Sequence, residues 1–235
     1  MFPGKSGKRD KYNRNGKRMQ QIKFFDLKSK PLNILCLGAH SDDLEIGCGG
    51  SILRLIAEHK NLNFYWVVFS AKAKRELEAK ESAALFLEGI KSKKILIKDF
   101  RDGFFPYIGG EIKEYFEELK KSFTPDLIFT HFRHDLHQDH RLISDLTWNT
   151  FRNHLILEYE IPKYDGDLGH PNFYISLEKK YCENKINNIM DIFLTQKNKH
   201  WLTEDTLYSL MRIRGIETGG DVNYAEAFYG RKLVY

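Results

Sequence analysis

The sequence predicts an α/β protein built on a mostly parallel sheet with helices on both faces. Three observations predict it: short, wholly apolar runs that read as buried strands, helical periodicity between them, and a 235-residue length able to bury one large core. Strands covered on both faces carry no polar alternation, and parallel neighbours need crossovers long enough to hold a helix.

The elements follow in order. "LNILCLG" (Leu32–Gly38) is the first strand, and "GGSILRLIAEHK" (Gly49–Lys60), apolar at 52, 53, 55 and 56, is the helix behind it. "NLNFYWVVFS" (Asn61–Ser70) is a second buried strand, followed by a charged helix, "AKRELEAKESAALFLEG" (Ala73–Gly89), that glycine ends. "KKILIKD" (Lys93–Asp99) is the third strand, and "GGEIKEYFEELKKSF" (Gly109–Phe123) is a helix stopped before Pro125. "PDLIFTH" (Pro125–His131) is the fourth strand. Beyond residue 154, "HLILEYE" (His154–Glu160) and "AEAFYGRKLVY" (Ala225–Tyr235) read as strands, with helical patterns between Glu178 and Met211. No linker or repeat divides residues 19–235, which are expected to form one domain.

Composition excludes several classes. With 42% hydrophobic and 14% aromatic residues the chain is not disordered, and its longest apolar stretch, "FYWVVF" (Phe64–Phe69), is far short of the roughly 20 residues a membrane span needs. The first 30 residues hold no apolar signal core, and three cysteines without a C-x-x-C pair read as reduced, packed thiols, so a cytoplasmic location is expected. Cys48 belongs to this group: a fourth protein ligand would close a catalytic metal site. The net charge of +5 is a tail effect. Residues 1–30 carry ten Lys/Arg against Asp10 and Asp26, whereas the other 205 carry 27 against 30 acids. Residues 1–18 are therefore expected to be a flexible basic extension, with Met19 a possible internal start. A nucleic-acid or anionic-membrane arm is the weaker reading of it.

In open α/β sheets the ligand crevice lies beyond the carboxyl ends of the strands. "AHSDD" follows strand one and "HFRHDLHQDH" (His131–His140) follows strand four, so both polar clusters are directed to one sheet edge. Together they hold His40, His131, His134, His137 and His140 with Asp42, Asp43, Asp135 and Asp139. Imidazole and carboxylate without thiolate suit a borderline metal such as zinc, held by two His and one carboxylate with a position open to water. "EIGCGG" does not supply G-x-G-x-x-G, no G-x-x-x-x-G-K-[ST] is present, and no G-x-S-x-G surrounds Ser41, which argues against dinucleotide, P-loop and serine-hydrolase sites.

On these residues the chain resembles the PIG-L superfamily of zinc-dependent de-N-acetylases. The family motif A-H-P-D-D-x-E is matched by "AHSDDLE" (Ala39–Glu45), H-x-D-H by "HQDH" (His137–His140), and a softer C-terminal motif by "YAEAF" (Tyr224–Phe228). The resemblance implies a Rossmann-like sheet and one Zn2+ per chain, with Fe2+ the alternative. It implies His40, Asp43 and His140 as metal ligands, and Asp42 as the general base for a zinc-bound water that attacks an acetamide. It also implies His137 as the oxyanion-stabilising or proton-donating group, with Asp139 orienting it and keeping it cationic. Ser41 stands where the motif usually has Pro, Leu136 where some members have Arg, and "FSAKAKRELEAKE" lacks the T-x-G-E that is common after strand two.

Around this centre His134 and Asp135 are candidate rim contacts, Arg75 a candidate phosphate grip along with Arg212 or Arg214, and Phe105, Phe104 or Tyr107 a candidate stacking surface for a sugar. The expected activity is hydrolytic removal of acetyl from an N-acetylated amino sugar or its conjugate, the sugar being the small-molecule partner and a homo-oligomer possible. An amidase acting on a thiol conjugate shares the chemistry. A non-catalytic metal protein with a nucleic-acid-binding tail is the reading from another class, and an open metal position beside a spare carboxylate speaks against it. Because every motif residue lies beyond Met19, a chain starting there is expected to keep its turnover, measured against the full chain; loss of the reaction by a folded truncation would make the tail part of the site.

Overall fold

The computed structural model describes residues 30–233. The basic extension lies outside the described residues. Seven strands, β1 (Leu32–His40), β2 (Leu62–Ser70), β3 (Ser92–Ile97), β4 (Leu127–His131), β5 (Leu155–Tyr159), β6 (Phe173–Leu177) and β7 (Tyr224–Gly230), form one sheet in the order β3-β2-β1-β4-β5-β7-β6. The pairings from β3 to β5 are all parallel, while β7 runs antiparallel to both β5 and β6. The strand order reverses at β1, so a crevice opens between the carboxyl ends of β1 and β4, which finish at His40 and His131.

Alternate residues of the central strands feed two cores. Ile34, Cys36, Trp66, Val68 and Phe129 face one side with Leu44 and Ile52 of α1 (Asp43–Glu58), Ala83 and Phe86 of α2 (Lys74–Phe86), Ile186 of α5 (Lys179–Ile192) and Met211 of α6 (Glu204–Glu217). Leu35, Leu37, Val67, Phe69 and Ile128 face the other, with Phe116 of α3 (Gly109–Ser122) and Ile143 of α4 (Gln138–Thr150). The α/β class, the parallel sheet and the two helical layers are as the apolar runs predict.

Four elements differ from expectation. Helix α1 starts at Asp43, not Gly49, so three glycines lie inside it. They are tolerated for close packing: a Cβ at Gly47 would sit 2.1 Å from Tyr159 Cδ2, and one at Gly49 2.6 Å from Phe86 Cε1. Helix α4 and strand β6 were not expected, the first because "HQDH" reads as a polar loop and the second because it is short, partly exposed and at the sheet edge. Strand β7 ends at Gly230, so residues 231–233 do not extend it.

The "YAEAF" strand reaches α1 through a buried ion pair. Glu226 accepts from the N–H groups of Gly50 and Ser51 at 2.9 and 2.7 Å and from Lys185 Nζ at 2.6 Å, while Lys185 also donates to Ile46 O at 2.6 Å. This joins β7, α5 and the helix that carries Asp43. Lys185→Met should leave Glu226 charged and short of a partner, costing about 3–5 kcal/mol of stability by urea denaturation. A loss under about 1 kcal/mol would show that the pair contributes little.

Candidate metal centre and active site

Strand β1 runs through a two-residue turn into α1, so His40 ends the strand, Asp42 stands at the residue before the helix with its side chain free of a capping bond, and Asp43 opens it. Strand β4 ends at His131, and after a short loop His137 caps α4, its Nδ1 accepting the Asp139 N–H at 3.3 Å. Two helix N-termini therefore meet at the crevice, and their partial positive charge favours the ionised carboxylates of Asp43 and Asp139 in their first turns.

Within this space His40 Nδ1 lies 3.2 Å from His140 Nε2, and Asp43 lies 3.4 Å from the first through Oδ2 and 3.5 Å from the second through Oδ1. Ligand atoms around a tetrahedral ion with 2.0–2.1 Å bonds stand roughly 3.3–3.4 Å apart, close to the His40–His140 separation, and each ring nitrogen has one Asp43 oxygen at a similar distance. The outer ring nitrogens explain the inner ones. His140 Nδ1 meets Asp135 Oδ2 at 2.9 Å, and His40 Nε2 meets Asp102 Oδ1 at 3.1 Å and Asp139 Oδ2 at 3.3 Å. Carboxylates there favour protons on the outer nitrogens, which makes the inner pair available as ligand atoms. The inner nitrogens can share a ring proton or ligate a cation, and the donor set fits a borderline divalent metal.

The electrostatics agree. Burial opposes charge on His40, but Asp43, Asp102 and Asp139 outweigh it and raise its pKa well above the ordinary histidine value. Burial pushes the Asp43 carboxyl up, yet the rings of His140, His131 and His40 hold it well below the usual range. Asp42 is the opposite case: burial first, then the charge of Asp43, raises it. Two adjacent carboxyls thus have divergent proton affinities, one suited to binding and one to carrying a proton.

His40, Asp42, Asp43, His137, Asp139 and His140 are brought together as the motifs suggest. Groups that could hold a metal among the described residues include His40–His137–His140, Asp43–His131–His140 and His40–Asp102–Asp139, and His40, Asp43 and His140 are drawn from the first two. His131 is fully buried and accepts the Ala39 N–H on Nε2 at 2.9 Å, and burial lowers its pKa to about 4, so its lone pair is committed to β1.

Several expectations are corrected. The Asp139 carboxylate does not orient His137; it faces His40 and accepts the N–H groups of Gly103 at 2.7 Å and Phe105 at 3.1 Å. His137 is not held cationic: burial and the neighbouring rings of His140 and His40 lower its pKa, and its engaged Nδ1 leaves Nε2–H as a neutral donor. Phe105 is fully buried against His40 with ring centroids 6.0 Å apart, so it is core; Phe104 and Tyr107 of the same loop are exposed. Asp135 is buried behind His140 and is not on the rim. Arg75 is engaged, donating to Ser41 Oγ at 3.2 Å and Asp102 Oδ2 at 3.1 Å, with NH2 3.8 Å from Asp42 Oδ1. Arg214 is buried, forked onto Glu160 at 2.7 and 2.6 Å. His134 is exposed, its ring edge-on to Phe132. Sequence reasoning missed Asp102, whose one signal was its place in the loop after strand three, and Lys163, which has none.

Residues 35–151 match the family model PIG-L, described as GlcNAc-PI de-N-acetylase. Among solved structures, a conserved protein from Thermus thermophilus is 19% identical, with 87% of this chain and 97% of that chain covered and a TM-score of 0.69. The N,N'-diacetylchitobiose deacetylase from Pyrococcus horikoshii is 22% identical, covering 88% and 87% with a TM-score of 0.63. A 4-carboxy-2-hydroxymuconate hydratase from Pseudomonas putida is 15% identical, covering 87% and 98% with a TM-score of 0.64. A deacetylase and a hydratase share this fold, so the fold alone does not name the reaction. The family model, by contrast, spans the stretch from β1 through α4 that supplies both histidines and the paired aspartates of the centre, and the chain belongs to the PIG-L family.

Proposed function

We propose that the protein is a metal-dependent hydrolase that removes the acetyl group from an N-acetylated amino sugar or a conjugate of one. The observation that carries this reading is the convergence of the His40 and His140 ring nitrogens with Asp43, beside a second buried carboxylate, Asp42, that the ligand set does not use. A structural site would consume its neighbours as ligands, whereas hydrolysis needs one group left over to move protons. The family description and the diacetylchitobiose deacetylase neighbour support the acetamide class.

His40, Asp43 and His140 would hold one ion, zinc being the best match to two imidazoles and a carboxylate, and ferrous iron the alternative. Bound there, the metal supplies a Lewis acid for the amide carbonyl and lowers the pKa of a coordinated water from about 15.7 toward 7. The chain's own residues do the rest. Asp42, its proton affinity raised by burial, takes the proton of the attacking water and returns it to the departing amine. His137 donates from its neutral Nε2–H to the carbonyl oxygen as that oxygen gains charge. Arg75, bridging Ser41 and Asp102, limits the positions Asp42 can take. Acetate and a free amino sugar leave.

The paired aspartates separate the roles. Asp42→Asn should keep its metal and lose roughly 10²–10⁴ in rate, the usual worth of a general base. Asp43→Asn should lose metal and be partly rescued by added zinc. Zinc content by atomic emission alongside acetate release from a panel of N-acetylhexosamine derivatives decides it; an Asp42→Asn protein at full rate would remove the base, and the deacetylase reading with it. His40→Ala and His140→Ala should drop bound zinc well below one per chain and abolish turnover together. Full occupancy in both variants would sink the ligand assignment.

A further inference from the structure

Between β5 and β6 the chain passes through residues 160–172, a segment that matches none of the motifs and carries one buried ammonium. The Lys163 side chain is 8% exposed, between Asp135 at 2% and Asp167 at 6%. Its Nζ lies 3.0 Å from Asp135 Oδ2 and pairs with Asp167. A buried charge is costly unless it is matched, and here it separates two carboxylates that would otherwise face each other.

Asp135 is the group behind the metal ligand. Its Oδ2 receives both the His140 Nδ1–H at 2.9 Å and the Lys163 ammonium, and its Oδ1 accepts the His137 N–H at 2.8 Å. Asp167 in turn accepts the Leu136 N–H at 2.7 Å, so the cluster grips the loop from 135 to 137 at three points. A carboxylate behind a ligating imidazole fixes the tautomer and aims the ring, and such partners are typically worth 10–100-fold in metal affinity. What holds that carboxylate in place is Lys163.

We propose that Lys163 is a positioning residue of the metal centre: it holds Asp135 against His140 Nδ1 and, through the same carboxylate, sets the backbone from which His137 projects. Without the ammonium, Asp135 Oδ2 loses the cation that pins it, whether or not Asp167 is charged. Asp135 then moves off His140, and the ring loses the constraint that turns Nε2 toward Asp43. The inference rests on the metal-centre reading above but not on the identity of the substrate.

The test is zinc affinity of the full chain without substrate, by competition with a chromogenic chelator, with the melting temperature of the zinc-free protein as a control for folding. Lys163→Met should bind zinc roughly 10–100-fold more weakly than the unaltered protein. Lys163→Met/Asp167→Asn removes the cation together with one carboxylate, so the buried cluster keeps its net charge if the single variant does not fold; it should bind zinc as weakly. Zinc affinity within two-fold of the unaltered protein in either folded variant overturns the proposal and leaves the deacetylase reading standing. Absence of zinc binding by the unaltered protein overturns both. An unaltered protein that binds zinc but releases no acetate sinks the deacetylase reading alone, and the Lys163 comparison then still decides the proposal.

Discussion

The approach of His40 Nδ1 to His140 Nε2 is the constraint on which the site depends. Two ring nitrogens this close must share a proton or a cation. Asp102 and Asp139 lie behind one ring and Asp135 behind the other, which favours protons on the outer nitrogens. The carboxylates concentrate negative charge at the crevice, which favours positive charge there, and Asp43 adds carboxylate oxygens near both ring nitrogens. The rest of the fold brings those carboxylates to the same edge. Asp102 comes from the loop after β3, Asp135 from the loop after β4, and Asp139 from the first turn of α4.

The paired aspartates make sense in this frame because adjacent residues at a strand-to-helix corner lie in different fields. Asp43 is surrounded by histidine rings and stays ionised; Asp42 is buried next to that charge and holds its proton more tightly. A single aspartate could not serve both needs, since the field that suits a ligand is the opposite of the one that suits a proton carrier.

Much of this was legible in the sequence. Apolar runs such as "LNILCLG" and "PDLIFTH" identify central parallel strands, because burial on both faces leaves no room for polar alternation. Their ends direct "AHSDD" and "HQDH" to one crevice. The outer partners were not legible. Asp135 looks like a rim residue until the β5–β6 segment is seen to cover it, and Phe105 looks like a stacking platform until its loop folds inward over His40. Asp139 sits two residues from His137 yet serves His40, since a helix N-terminus spends the intervening backbone on its own cap. Periodicity also placed α1 too late, because glycines that read as a turn are the contact surface for Tyr159 and Phe86.

The sequence separation of the two histidines has a mechanical meaning. His40 and His140 stand 100 residues apart along the chain, on either side of a seam in which β1 and β4 pair over only Ile34–Cys36 and Leu127–Phe129. On the proposed ligand set, an ion shared by them would be a removable cross-link that closes most of the first half of the domain into a loop, with the largest entropic benefit going to long loops. Folding stability and metal supply would then be linked quantities, the unfolding midpoint rising with free metal by mass action.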